Sequence, residues 1–240
     1  MKNKKRVREW TFCAAMLAFG IVYAQNRPET SQPAELRLRI TSSLPGKHLA
    51  APAVIWLEPL ANTPALPFPP HSRYTLLQKN RIFFPHLQVI PAGSVVNFPN
   101  EDPFFHNVFS LFEGKRFDLG LYEAGSSKSV TFSKVGVSYI FCNIHPEMSA
   151  VVIALDTPLY AAADTQDSVL LRGIPPGDYK LHVWIESVPQ SFLEGLSRPI
   201  HISTHMVDLG VINAPIAGAG TIPHSNMYGK AYTPDARSTY

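Results

Sequence analysis

The chain has 240 residues, with 21 basic and 18 acidic side chains, 22 prolines, 14 glycines and two cysteines. The formal charge of +3 is a property of its start: without Lys2, Lys4, Lys5, Arg6, Arg8 and Glu9, 16 basic residues face 17 acidic ones. That balance argues against nucleic acid or an anionic membrane surface as a partner, and the near absence of helical periodicity argues against a helical bundle.

In chain order, the basic start is followed by an apolar run from Trp10 to Val22 and then by Val22-Tyr23-Ala24, with small residues at −3 and −1. This pattern predicts a secretory signal peptide over residues 1–24. The run is about thirteen residues long, short of the ~20 that a spanning helix needs, and no later segment is long and apolar enough to span. The expected mature protein begins near Gln25 and is exported, periplasmic or secreted, and soluble. Its cysteine count drops to one, Cys142. Exported proteins usually hold cysteines in disulfide pairs, so a lone thiol there needs protection, which a metal–thiolate bond provides.

The remainder reads as all-β, with short apolar or alternating runs between Pro- and Gly-rich turns. Strands are predicted near residues 36–40 and 54–60. The proline-rich 61–80 connection is too broken for an interior strand. Further strands are predicted at 87–90, 94–97, 107–110, 129–132, 137–141 and 150–155, with turns at 91–93 and 134–136. After Asp156 the pattern restarts: SVLLRGIPPGDYKLHVWIESV holds two strands joined by Pro175-Pro176-Gly177-Asp178. A last strand falls at 199–202 or 206–212. From about Pro215 the composition predicts a disordered tail, 214–240.

One stretch carries chemistry. YIFCNIHPEMSAVVIAL places Cys142, His145 and Met148 on one loop after a strand-like run. Thiolate, imidazole and thioether together suit copper, and a trigonal plane of one thiolate and two imidazoles with a weak axial methionine accepts both Cu(I) and Cu(II). The second imidazole is sought in VVNFPNEDPFFHNVFSLF, where His106 opens a strand. Its neighbour Asn107 is placed to bond across to the Cys142 loop and hold the two ligand segments together. Other readings stay open: a buried structural thiol, zinc in place of copper, or a Cys–His nucleophile. His48, His71, His86, His182, His201, His205 and His224 are read as surface histidines, and Phe104, Phe105, Phe109 and Phe112 as core.

GSVVNFPNEDPFFHNVFS and GVSYIFCNIHPEMSAVVI together resemble the type 1 (blue) copper proteins of the cupredoxin family. The likeness is strongest to amicyanin- and pseudoazurin-like members, which share Cys-x-x-His-Pro-x-Met, and extends to exported proteins often labelled methylamine-utilisation or plastocyanin-like. It covers residues 81–155 best. It implies a Greek-key sandwich over 35–156, one copper ion on His106, Cys142, His145 and axial Met148, and one-electron transfer with a transient redox partner. The alternative is periplasmic copper binding, delivery or sensing. Residues 157–213 resemble a carboxypeptidase-regulatory or transthyretin-like β domain. No enzymatic activity is expected, because one mononuclear site without a His-x-His pair gives substrate nowhere to bind.

Overall fold

The computed structural model describes residues 33–43, 49, 51–64, 66–68, 73–111, 114–203, 205–215 and 225–232. The expected signal segment lies outside them, as do Phe112, His48, His71 and His224. Two strands come first, β1 (Ala34–Ser42) and β2 (Ala53–Pro59), followed by the short β3 (Arg73–Thr75), β4 (Leu77–Lys79) and β5 (Ile82–Phe84). The middle of the chain forms β6 (Leu87–Pro91), β7 (Ser94–Pro99), β8 (His106–Ser110), β9 (Phe117–Tyr122), β10 (Ser127–Phe132), β11 (Gly136–Cys142) and β12 (Ser149–Leu155). The last part adds β13 (Tyr160–Ala162), β14 (Ser168–Ile174), β15 (Gly177–Ile185), one helix α1 (Gln190–Leu196), β16 (Arg198–Ile202) and β17 (Val207–Ala214). The all-β class is as the sequence predicts.

The middle strands build a sandwich. One sheet runs β6-β12-β11-β8-β9 and the other β10-β7-β3, with β4 and β5 as a separate hairpin. Between the two sheets lies a core that includes Ile90, Val96, Phe98, Val108, Phe132, Ile140 and Val152, together with Cys142 and Met148. The alternation in β7, where Val96 and Phe98 point inward and Val95 and Asn97 are only half-buried, is the period-2 pattern of a half-covered sheet.

β12 differs, because all seven of its residues are buried. Ala150, Val152 and Ala154 join the sandwich core, whereas Val151, Ile153 and Leu155 join a second core made with β1, β2, β14 and β15. A strand covered on both faces needs an unbroken apolar run, and SAVVIAL supplies one. The second core is lined by Leu36, Leu38 and Ile40 from β1 and by Tyr179, Leu181, Val183 and Ile185 from β15. On β1 the intervening Glu35, Arg37 and Arg39 are at the surface or half-buried, and Arg37 and Glu35 pair with Asp208 and Arg172.

Strand pairing departs from the expected partition. Residues 35–60 were expected with the copper domain, but β1 lies between β14 and β17, and β2 lies between β13 and β15. The alternating pattern of β1 and the apolar run of β2 mark them as strands; partner choice is a long-range property that these patterns do not carry. Three further differences are local. β3 forms inside the proline-rich connection as an edge strand parallel to β7. β9 forms at FDLGLY, and both candidates for the last strand are present. Among the described residues no helix is long and apolar enough to cross a membrane.

Candidate metal centre

His106 opens β8, and the loop before it fixes its ring. Asn100 Oδ1 accepts the Asp102 amide at 3.0 Å and Asn100 Nδ2 donates to the Phe104 carbonyl at 2.7 Å, which shapes the Asn-Glu-Asp-Pro turn. The turn aims the Asp102 carboxylate at two targets. One is the His106 ring, whose Nε2–H donates to Asp102 Oδ2 at 2.9 Å. The other is the β4–β5 turn, whose Asn80 and Arg81 amides donate to Asp102 at 2.6 and 3.0 Å. Asn80 and Arg81 have φ of 56° and 57°, the left-handed pair that a two-residue hairpin turn requires. One buried carboxylate thus holds the turn and orients the imidazole.

Cys142 ends β11, and the loop that follows is closed mostly by its own main chain. The Cys142 amide donates to the Met148 carbonyl at 3.3 Å, the Met148 amide to the His145 carbonyl at 3.1 Å, and the Asn143 amide to the Asn107 carbonyl at 3.2 Å. The last bond joins the two ligand segments. The expected side-chain link from Asn107 is not formed: its Nδ2 donates to Asp118 Oδ1 at 2.7 Å. A strand residue adjacent to the loop reaches it more directly through its own carbonyl than through a side chain that turns toward β9.

The structure brings three of the predicted ligands together. His106 Nδ1 and His145 Nδ1 are 3.1 Å apart, and Cys142 Sγ lies 3.6 and 3.5 Å from them. The separations leave a point within metal–nitrogen (about 2.0 Å) and metal–sulfur (about 2.3 Å) bond lengths of the three atoms. Because Nε2–H of His106 is committed to Asp102, its Nδ1 presents a lone pair to this point. Exposure is 0% for His106 and Cys142 and 5% for His145. Among the described residues this is the one group of three or more His, Cys, Asp or Glu side chains suited to hold a metal ion. Met148 is fully buried at the end of the same loop, in the sandwich core.

Electrostatics favour neutral imidazoles. Burial holds His145 down at about 4, reinforced by His106 and Arg81. Burial also lowers His106, against the raising effect of Asp102. Burial pushes the Asp102 carboxyl up, but hydrogen bonds from the Arg81 amide, His106 and the Asn80 amide outweigh it and leave it below its usual range. Burial raises the Cys142 thiol, while the main-chain amides of Asn107, Ile144 and His145 act in the opposite sense. A buried thiol beside two neutral imidazoles needs a cation before it can be a stable thiolate, and the donor set fits copper.

Sequence reasoning missed three contributors: Asp102, Arg81 and the tail. Asp102 sits four residues before His106, in a turn whose acid carried no strand or ligand signal of its own. Phe104, expected in the core, is half-buried and packs against both imidazoles, with ring centroids 5.3 and 5.5 Å away. The Arg81 guanidinium lies 5.2 Å from the Phe104 ring centroid. Phe109 is in the core as expected, whereas Phe105 is 53% exposed. The third contributor is the tail: residues 225–232 lie against the Cys142 loop. Of the other histidines, His86, His182 and His201 pair with Glu186, Glu58 and Asp178.

The chain is similar to a purple cupredoxin from Nitrosopumilus maritimus, at 22% identity and a TM-score of 0.31, over 34% of this chain and 99% of that one. It is also similar to amicyanin from Paracoccus versutus, at 22% identity and a TM-score of 0.32, over 41% of this chain and 91% of that one. These neighbours are cupredoxins. A copper-containing nitrite reductase from Thermus scotoductus SA-01 matches at 26% identity and a TM-score of 0.33, over 41% of this chain and 25% of that one, so the chain spans a quarter of its length. No family model and no curated protein matches the sequence.

Proposed function

We propose that the protein is an exported, periplasmic type 1 copper protein that carries one electron at a time between transient redox partners. The observation that supports this best is the buried triangle of Cys142 Sγ and two Nδ1 atoms, with sides of 3.1, 3.5 and 3.6 Å. His106, Cys142 and His145 would hold the ion, and Met148, buried at the end of the same loop, would offer it a weaker thioether donor. When bound, copper supplies a one-electron couple whose potential depends on the axial ligand and on hydrogen bonding and burial around the sulfur.

The chain's own residues set the rest. The three donor atoms stand close enough together to share one ion without a rearrangement of the two ligand segments. Asp102 fixes the His106 tautomer and stiffens the ring. Phe104 shields both imidazoles from water. His145, the ligand with residual exposure, is the route to a partner docking beside Pro146 and Phe105. Such encounters use small interfaces. Burial of all three ligands favours a carrier over a delivery protein, which must release its metal readily.

The deciding measurement is an optical and EPR spectrum of protein purified with copper. An intense thiolate-to-copper band with a reversible one-electron potential is expected. A colourless copper-loaded protein would sink the assignment. Loss of Cu(I) to a chelator within seconds would shift the reading to delivery.

A further inference from the structure

We propose that residues 225–232 form an intramolecular strap that holds the metal-binding loop in its ligand geometry, and that retention of copper depends on it. This rests on the metal reading above. The composition of the tail predicts disorder, yet this part folds on itself and docks. Asn226 organises it: its Oδ1 accepts the Tyr228 and Lys230 amides at 3.0 Å each, its carbonyl accepts the Gly229 amide at 2.9 Å, and its amide donates to the Lys230 carbonyl at 2.9 Å. Gly229, with φ of 73°, takes the left-handed position that closes the turn.

Two bonds then reach the loop, on consecutive residues. The Met227 amide donates to Asn143 Oδ1 at 2.9 Å, and the Tyr232 hydroxyl donates to the Cys142 carbonyl at 2.9 Å. These are the last residue of β11 and the first beyond it, where the strand ladder stops supplying partners. The segment is otherwise poor in apolar burial, since Ser225 and Tyr228 to Ala231 are exposed and Tyr228 is 72% so. A turn built by Asn226 and fastened by two hydrogen bonds is strong enough to bias a loop and weak enough to open. Tyr232 and the Met227 amide are thus positioning groups, which act on copper through Cys142 and Asn143.

The test uses the full chain carrying Met227→Pro and Tyr232→Phe together. Proline suits the second position of this turn; it removes the amide donor and replaces the half-buried methionine side chain. Phenylalanine removes only the hydroxyl. Tyr228→Phe, at an exposed ring of the same segment, is the control. Hydrogen exchange of the 142–148 amides is measured first in the copper-free proteins, and a rise of about tenfold is expected in the double variant alone. Cu(I) transfer to a chelator is expected to quicken by about tenfold as well, with a changed EPR signature and an unchanged melting temperature. Unaltered loop exchange in the copper-free double variant overturns the strap. Faster exchange with unaltered copper release overturns its role in retention. If loop exchange rises but neither protein forms the thiolate–copper band, the metal reading falls and the strap stands only as a loop restraint.

Discussion

The two segments that meet at the metal centre are held in different ways. His106 stands on a strand, and its far nitrogen is gripped by Asp102, which also carries two amides of the β4–β5 turn. Cys142, His145 and Met148 sit on a loop held by main-chain bonds to itself, by one bond to Asn107, and by the tail. The first is a fixed post, over-determined by a buried charge. The second is a hinged arm, with each bond modest alone. The thiol thus stands on the arm and one imidazole on the post.

The largest expected effect comes from the arm. Cys142→Ala should abolish the visible copper band while the fold persists, because the thiol occupies core space that a methyl group partly fills; circular dichroism beside the optical spectrum checks both halves. On the post, Asp102→Asn should weaken copper binding by about 10- to 100-fold by loosening the His106 tautomer, read by competition titration. If Asp102→Asn binds copper as tightly as the wild type, the post is no post. Met148→Leu keeps the volume and should cost less than about 1.5 kcal/mol of stability. The band should survive with a shifted potential, and an unmoved potential would reduce Met148 to packing.

The smallest effect concerns the join between the two cores. His86 donates to both of its partners, the Ser149 carbonyl at 3.0 Å and the Glu186 carboxylate at 2.8 Å, so its ring is stabilised in the charged form. The Glu186 hydrogen bond raises it above the usual histidine range, against burial. Its contribution is therefore complete below about pH 6.5 and is lost as pH rises through the elevated value. With the His86 ring partly exposed, the pair should be worth under about 1 kcal/mol. The melting temperature of His86→Gln should approach that of the wild type as pH increases, and a constant difference would discard the linkage.

The sequence carried the centre unusually far. Cys142 and His145 were legible because soft ligands at short spacing leave a compositional mark, and His106 because it opens a strand after a turn. β12 was legible because an apolar run has few places to go. What was not legible is long-range or borrowed. Nothing in the pattern of β1 says that it will lie beside β14 and β17. Asp102 reads as an ordinary turn acid until the ring four residues on is in place. Residues 225–232 look like solvated tail, because their composition carries no mark of the hydrogen bonds to Asn143 and Cys142 that dock them.

β12 is common property: its two faces serve two cores. A fragment cut after residue 156 to isolate the copper sandwich would strip β14 and β15 from the core that covers Val151, Ile153 and Leu155, and leave apolar surface of the kind that finds another copy of itself. The C-terminal layer is therefore the wall against which the copper half is built, and evolution or engineering could not detach one without re-facing the other.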